Sequence, residues 1–309
     1  TLGRPQDGAH LTVGRRVIEQ YSAGDEQPWC GVQTDDGTVV SLPEAGAVAG
    51  LDLPRGTRKL VDEWEWQRKA ELAVEHAAET GIGAYDAGDV TPAAPVRDPS
   101  KIVCVGLNYV DHAEEGDNPI PEEPVLFSKF PTSVNGPGGP IEWDPDLTDE
   151  VDYEAELVVV IGEETRRVDE ADALDHVAGY LVGNDVSARD LQHGDGQWIR
   201  GKSLDTFAPI GPTLVTPDEI DDPGDLDIWT EVNGERLQES TTSNQIFGVD
   251  ELIAFCSRAF TLTPGDLLFT GTPPGVGVYR EPPVLLSDGD EVTVGIEGIG
   301  ELHNPCKFS

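Results

Sequence analysis

Two carboxylates stand where the chain otherwise spells an apolar strand: Glu154 and Glu156, in Val151-Asp152-Tyr153-Glu154-Ala155-Glu156-Leu157-Val158-Val159-Val160. Successive strand residues alternate faces, so both side chains point the same way. Two anions drawn together out of water repel unless they share a proton or a cation. A hard divalent cation, Mg²⁺ or Mn²⁺ with Ca²⁺ admissible, is the partner that oxygen ligands select. Asp185 closes a second apolar run, Gly179-Tyr180-Leu181-Val182-Gly183-Asn184, and is the third candidate ligand. Three carboxylates would leave half of an octahedron open for substrate and water. In so acidic a chain, the competing reading is a set of exposed, solvated carboxylates.

His112 and Glu115 lie three apart, a spacing that stacks them on one face of a helix within hydrogen-bond reach. A carboxylate behind an imidazole fixes its tautomer and raises its basicity, as a general base requires. An exposed histidine on an acidic helix has the same spacing, and Asp111 and Glu114 compete with Glu115 as its partner. Lysine usage is a separate signal, because only 6 of the 20 basic residues are lysines. Two of these, Lys129 in Phe127-Ser128-Lys129-Phe130 and Lys202 in Arg200-Gly201-Lys202-Ser203, sit among apolar or small residues. An ammonium suits a carboxylate or a developing enolate, and an anionic protein needs local positive charge to admit an anionic substrate. A surface lysine paired with an acid is the alternative for each. Thr270-Gly271-Thr272-Pro273-Pro274-Gly275 spells a tight loop that exposes backbone N–H groups and the Thr272 hydroxyl.

Taken in order, Asn108-Tyr109-Val110-Asp111-His112-Ala113-Glu114-Glu115, the Glu154/Glu156 strand, Asn184-Asp185, Gly201-Lys202-Ser203-Leu204-Asp205-Thr206-Phe207 and Phe269-Thr270-Gly271-Thr272-Pro273-Pro274-Gly275-Val276-Gly277 resemble the fumarylacetoacetate hydrolase family. The resemblance runs from about Lys101 to about Asn304. It implies a β-rich roll, a metal held by Glu154, Glu156 and Asp185, and a His112–Glu115 dyad that activates water. It also implies that Gln192 hydrogen-bonds the substrate and that the Thr272 loop closes over the substrate carboxylate. Lys202 takes a catalytic role and Lys129 a substrate-binding one in this reading, and a homodimer is expected.

The elements that must position these groups are mostly strands: Ile102 to Val105, Leu157 to Ile161, Val177 to Asn184, Leu226 to Val232, Leu267 to Thr270 and Glu291 to Ile296. Asn233-Gly234 predicts a two-residue hairpin turn, since both positions tolerate positive φ. Leu252, Ile253, Phe255 and Cys256 have helical spacing and predict a helix over Val249 to Phe260. Upstream, short strands and one helix from Lys59 to Glu79 predict a small accessory α+β domain over residues 1–95. The prolines of Thr91-Pro92-Ala93-Ala94-Pro95 connect it to a catalytic domain over 96–309. The fold class is therefore a β-rich α+β chain with a mixed β-roll.

A formal charge of −39 spread along 309 residues repels nucleic acid and anionic membranes, so neither is expected as a partner. Diffuse acidity with few lysines predicts a halophilic source, where molar salt screens the repulsion. Four scattered cysteines lack metal or redox spacing and are expected to be reduced. With no leader-like or membrane-spanning stretch, a cytoplasmic location is expected. The absence of a Gly-x-Ser-x-Gly elbow, a phosphate-binding Gly-Lys-Ser/Thr loop, His-Glu-x-x-His and a dinucleotide Gly-x-Gly-x-x-Gly takes their best support from the serine hydrolase, nucleotide hydrolase, zinc protease and nicotinamide readings. The expected activity is metal-dependent hydrolysis of a carbon–carbon bond in an acylpyruvate or related 2-oxo acid. Isomerisation of a 2-hydroxyhepta-2,4-diene-1,7-dioate type of substrate, decarboxylation, and dehydration of a 2-oxo-3-deoxy sugar acid are the rivals. A non-enzymatic domain with a structural cation would leave His112, Lys202 and Thr272 without a purpose.

Overall fold

A computed structural model describes residues 17–24 and 27–309. The first sixteen residues, part of the stretch searched above for a leader, lie outside the described residues.

The architecture is built on the antiparallel pair Ala155–Ile161 and Val177–Asn184, in which every residue is buried. Such runs are apolar on both faces because both faces are covered. Leu157, Val159 and Ile161 enter one core with Ile228, Leu252, Ile253 and Val294. Val158 and Val160 enter a second with Leu42, Leu60, Ala73 and Ile210. Glu154 and Glu156 share the parity of the second set and occupy the end of that face.

Around this pair a twelve-stranded mixed sheet extends both ways. On one side it continues through Leu267–Phe269, Ile102–Gly106 and Val125–Lys129, the first two paired in parallel. On the other it passes through Ala208–Val215 to Val17–Ser22, Trp29–Gln33, Thr38–Ser41 and Ala84–Asp86. Strands before residue 95 thus share both a sheet and a core with those after it. The proline-rich connector is itself paired, Thr91–Ala93 lying against Gln20–Ser22. A second, five-stranded sheet holds the predicted hairpin, Asp227–Val232 and Glu235–Thr241, turning through Asn233 and Gly234 at φ 53° and 79°.

This is the β-rich, mixed-sheet α+β fold expected. The helix Val249–Ala259 matches its prediction and buries Leu252, Ile253 and Cys256. The helix expected from Lys59 to Glu79 is instead two, Thr57–Val61 and Trp66–Thr80, because Glu65 turns left-handed at φ 52° and interrupts the ladder. The four cysteines are free and buried. Among the described residues no helix is long and apolar enough to cross a membrane.

Candidate active site

Glu154, Glu156 and Asp185 converge, each offering a carboxylate oxygen within 4.8 Å of the others', and all three are buried. Register explains the meeting: Ala155 pairs with Asn184, so the ends of the two strands carry their acids to one point. Asp185 N–H donates to the Glu154 carbonyl at 2.9 Å, and Glu154 N–H donates to the Asn184 side chain at 2.9 Å. The alternative of solvated surface carboxylates does not describe these three residues.

Buried anions need compensation, and three cations provide it unevenly. Lys202 Nζ donates to Glu154 Oε2 at 2.8 Å and to Asp185 Oδ2 at 2.9 Å. Arg189 lies 2.7 Å from both Asp152 Oδ2 and Glu154 Oε1. Burial opposes ionisation of Glu154, but Lys202 and Arg189 outweigh it and hold the carboxyl down at about 2. For Lys202 burial also works against the charge, and Asp185 and Glu154 overcome it, raising the ammonium above its usual range. Glu156 is treated differently. It accepts one hydrogen bond, from Gly271 N–H at 2.7 Å, and among the described residues no basic side chain pairs with it. Burial, then Asp185 and Glu154, push its carboxyl well above the usual range.

Lys129 reaches the cluster from behind. Its ammonium donates to the carbonyls of Val186 at 2.9 Å and Phe207 at 2.8 Å, and to that of Lys202, while Asp185 Oδ1 lies 2.6 Å away. With three protons aimed at carbonyls, it gives Asp185 Oδ1 charge but no aligned donor, and that oxygen accepts no hydrogen bond. Burial lowers the ammonium despite Asp185 beside it. Lys129 lines no part of the cavity described below and has no proton left for a ligand.

The donor set fits a hard divalent cation. Asp152, Glu154, Glu156 and Asp185 set four carboxylates against Lys129, Arg189 and Lys202. The surplus negative charge sits at Glu156 and the undonated oxygen belongs to Asp185, both all-oxygen ligands.

In front of the triad lies a cavity of about 210 Å³, walled by Glu154, Glu156, Arg189, Lys202, His112 and Thr272, with Gln192, His193, Trp198 and Tyr279 around them. The helix Val110–Glu115 presents His112, whose Nδ1 lies 3.2 Å from Glu115 Oε2. A carboxylate can only accept, so Nδ1 carries the proton and Nε2 is the free base. Asp111 is taken by Ser240 and Asn244, and of the neighbouring acids it is Glu115 that contacts the ring. Glu115 also accepts from Gly275 N–H, at 2.9 and 3.1 Å. Gln192 accepts from Arg189 at 3.0 Å through its amide oxygen. The structure thus brings together His112, Glu115, Lys202, Gln192, Thr272 and the triad, and sets Lys129 behind them.

Arg189 serves Asp152 and Glu154, whereas its neighbour Asp190 accepts from Thr148 at 2.6 Å. Asp152 was passed over entirely, yet it receives Gly277 N–H at 2.7 Å and Val278 N–H at 3.1 Å and so fastens the far loop to the charged strand. Its signal was present, since it is a third acid in the apolar stretch that yielded Glu154 and Glu156.

A model of the fumarylacetoacetate (FAA) hydrolase C-terminal family matches residues 101–307. The chain belongs to that family. Its relatives span several chemistries. It is 41% identical over 311 residues to a Xenopus laevis protein named oxaloacetate tautomerase fahd2, mitochondrial, covering 96% of this chain and 95% of that one. Among solved structures it resembles the fumarylacetoacetate hydrolase of psychrophilic Exiguobacterium antarcticum, at TM-score 0.80 and 36% identity over 95% of this chain and 99% of that one. It also resembles a 5-carboxymethyl-2-hydroxymuconate delta-isomerase from Mycobacterium smegmatis, at TM-score 0.73 and 35% identity over 95% and 99%. Membership of this enzyme family stands, and isomerase-type relatives displace hydrolysis as the leading reading of the activity.

Proposed function

We propose that the protein is a divalent-metal-dependent isomerase that interconverts enol and keto forms of a small 2-oxo dicarboxylic acid, with oxaloacetate the first substrate to test. The observation that carries this is the 41% identity along nearly the whole chain to a protein named as an oxaloacetate tautomerase. Cavity size agrees, because about 210 Å³ is below the roughly 300–1,000 Å³ of common ligand pockets and suits a four-carbon acid.

Each residue then has a task. A Mg²⁺ or Mn²⁺ ion held by Glu154, Glu156 and Asp185 would supply Lewis-acid stabilisation of negative charge on the 2-oxo oxygen. His112 Nε2, oriented by Glu115, takes the proton from the carbon next to the oxo group while the oxo oxygen gains one from water to give the enol; in the reverse direction the enol oxygen gives up its proton and His112 delivers one to the carbon. Lys202 and Gln192 offer hydrogen-bond donors on the oxygen side, and Thr272 meets the carboxylate. Lys129 supports Asp185 rather than the substrate. A homodimer in an aqueous compartment, the cytoplasm of a halophile, completes the reading. The word mitochondrial belongs to the Xenopus relative's name.

Hydrolytic cleavage of an acylpyruvate is the second reading, favoured by the likeness to the Exiguobacterium hydrolase. One experiment separates them. Metal-loaded protein is given enol oxaloacetate, followed by loss of enol absorbance, and separately an acylpyruvate, followed by product mass. Accelerated enol loss that stops on chelation, with the acylpyruvate intact, is the expected result. Rapid acylpyruvate fragmentation without enol turnover would replace the proposal with the hydrolase.

A further inference from the structure

Gln238 lies in the hairpin of the second sheet, 1% exposed, and none of its atoms lines the cavity. It nevertheless joins the two sides of the site. Its amide oxygen accepts from Ala155 N–H at 2.9 Å, between Glu154 and Glu156, and from the Thr230 hydroxyl at 2.7 Å. Its amide nitrogen donates to the Pro273 carbonyl at 2.8 Å and to Thr272 Oγ1 at 2.9 Å.

All four hydrogen-bonding positions of the amide are filled, and two of the partners admit one role only. Ala155 N–H can only donate, so the atom facing it is the oxygen. The Pro273 carbonyl can only accept, so the atom facing it is the nitrogen. The amide cannot be turned over, and Thr272 Oγ1 must receive one of its protons. A hydroxyl that accepts there still has its own proton to place. Among the described residues no protein acceptor takes it, while Thr272 lines the cavity.

We propose that Gln238 is a positioning residue that commits the Thr272 hydroxyl to donating into the cavity, so that the site selects a carboxylate over a carboxamide at that point. A carboxylate meets the committed donor with an acceptor oxygen whichever way it is turned; a carboxamide does so in one of its two orientations only, and in the other its NH₂ sets donor against donor. Sites built to hydrogen-bond one group reject its analogue strongly because the buried polar group is left unpaired. This inference rests on the reading that the cavity takes a small 2-oxo acid.

Binding can test it without turnover. Calorimetry on the metal-loaded protein compares pyruvate with 2-oxopropanamide, which differ at the carboxyl group alone. Any preference owed to the metal is common to all variants and cancels when their affinity ratios are compared. Thr272→Val should reduce the wild-type ratio by roughly ten-fold, the scale of a hydrogen bond to a charged group. Gln238→Met, which fills similar space without the amide, should reduce it comparably, and the double variant should fall no further. Thr272→Ser, which keeps the hydroxyl, should preserve the ratio. Thermal melting confirms that each variant is folded. A ratio unchanged in folded Gln238→Met overturns the inference while leaving the 2-oxo acid reading intact. Failure of wild-type protein to bind pyruvate at all overturns both.

Discussion

The two sides of the cavity are built by opposite means. On the strand side, Glu154 and Asp185 are buried and paired with Arg189 and Lys202, Glu156 is buried beside them without a cation, and the register of two wholly buried strands sets where the three acids meet. On the loop side, the Thr272 hydroxyl accepts from the Gln238 amide, and the backbone N–H groups of Gly275 and Gly277 donate to the carboxylates of Glu115 and Asp152. Regular structure can carry unbalanced charge because its backbone is already satisfied, whereas the loop depends on side chains for its shape. Damage on the strand side should therefore appear first in stability and metal content. Damage on the loop side should appear in orientation and turnover.

The largest effect should come from the charged side. Lys202→Met strands Glu154 and Asp185 without their shared donor, and removing one partner of a buried pair typically costs about 3–5 kcal/mol. Denaturant unfolding of the metal-free protein measures this, and a loss below about 1 kcal/mol would contradict the compensation argument. Glu156→Ala, by contrast, should abolish metal retention in elemental analysis while leaving the fold intact, because Glu156 is the acid without a cation.

His112→Ala should slow turnover by roughly 10²–10⁴-fold, the usual contribution of a positioned base, with metal content unchanged. Glu115→Ala should do less. Near wild-type turnover in His112→Ala would send the search for the base to His193, which also lines the cavity.

Salt and assembly should produce moderate effects. Charge of −39 opposes a compact state, and molar KCl screens that repulsion, so melting temperature should rise between dilute buffer and molar salt. An unchanged melting temperature would remove the halophilic expectation, and a monomer mass by light scattering in active samples would remove the homodimer.

The smallest effect lies away from both sides. Burial raises the thiols of Cys30, Cys256 and Cys306 to about 12 and that of Cys104 well above its ordinary value. Their folded-state values exceed the unfolded one, so the folded protein keeps its thiol protons longer. Their contribution to stability is therefore complete below about pH 9 and is lost as pH rises towards 12. A thiol reagent at pH 8 should label none of the four in native protein and all four in denaturant. Rapid native labelling would show that the cores open locally.

What the sequence made legible follows the same division. Glu154, Glu156 and Asp185 could be found because an acid in an apolar strand is anomalous, and strand alternation fixes its direction. Lys129 and Lys202 were equally anomalous, but no spacing rule says which side of a sheet a long side chain will thread. One faces the cavity and the other saturates carbonyls behind it. The strands Ala208–Val215 and Gly300–Phe308 escaped prediction because Pro209, Gly211, Pro212 and Pro305 interrupt their patterns, although both pair within sheets. Gln238 is one amide in a hairpin, and its importance lies in long-range partners that no local pattern encodes.

Glu115 grips both the His112 ring and the backbone of Gly275, so the base and the loop share one fastening. A change at Glu115 therefore acts in two places at once: it frees the imidazole to turn and it releases the backbone of the loop opposite, so base and loop lose their alignment together.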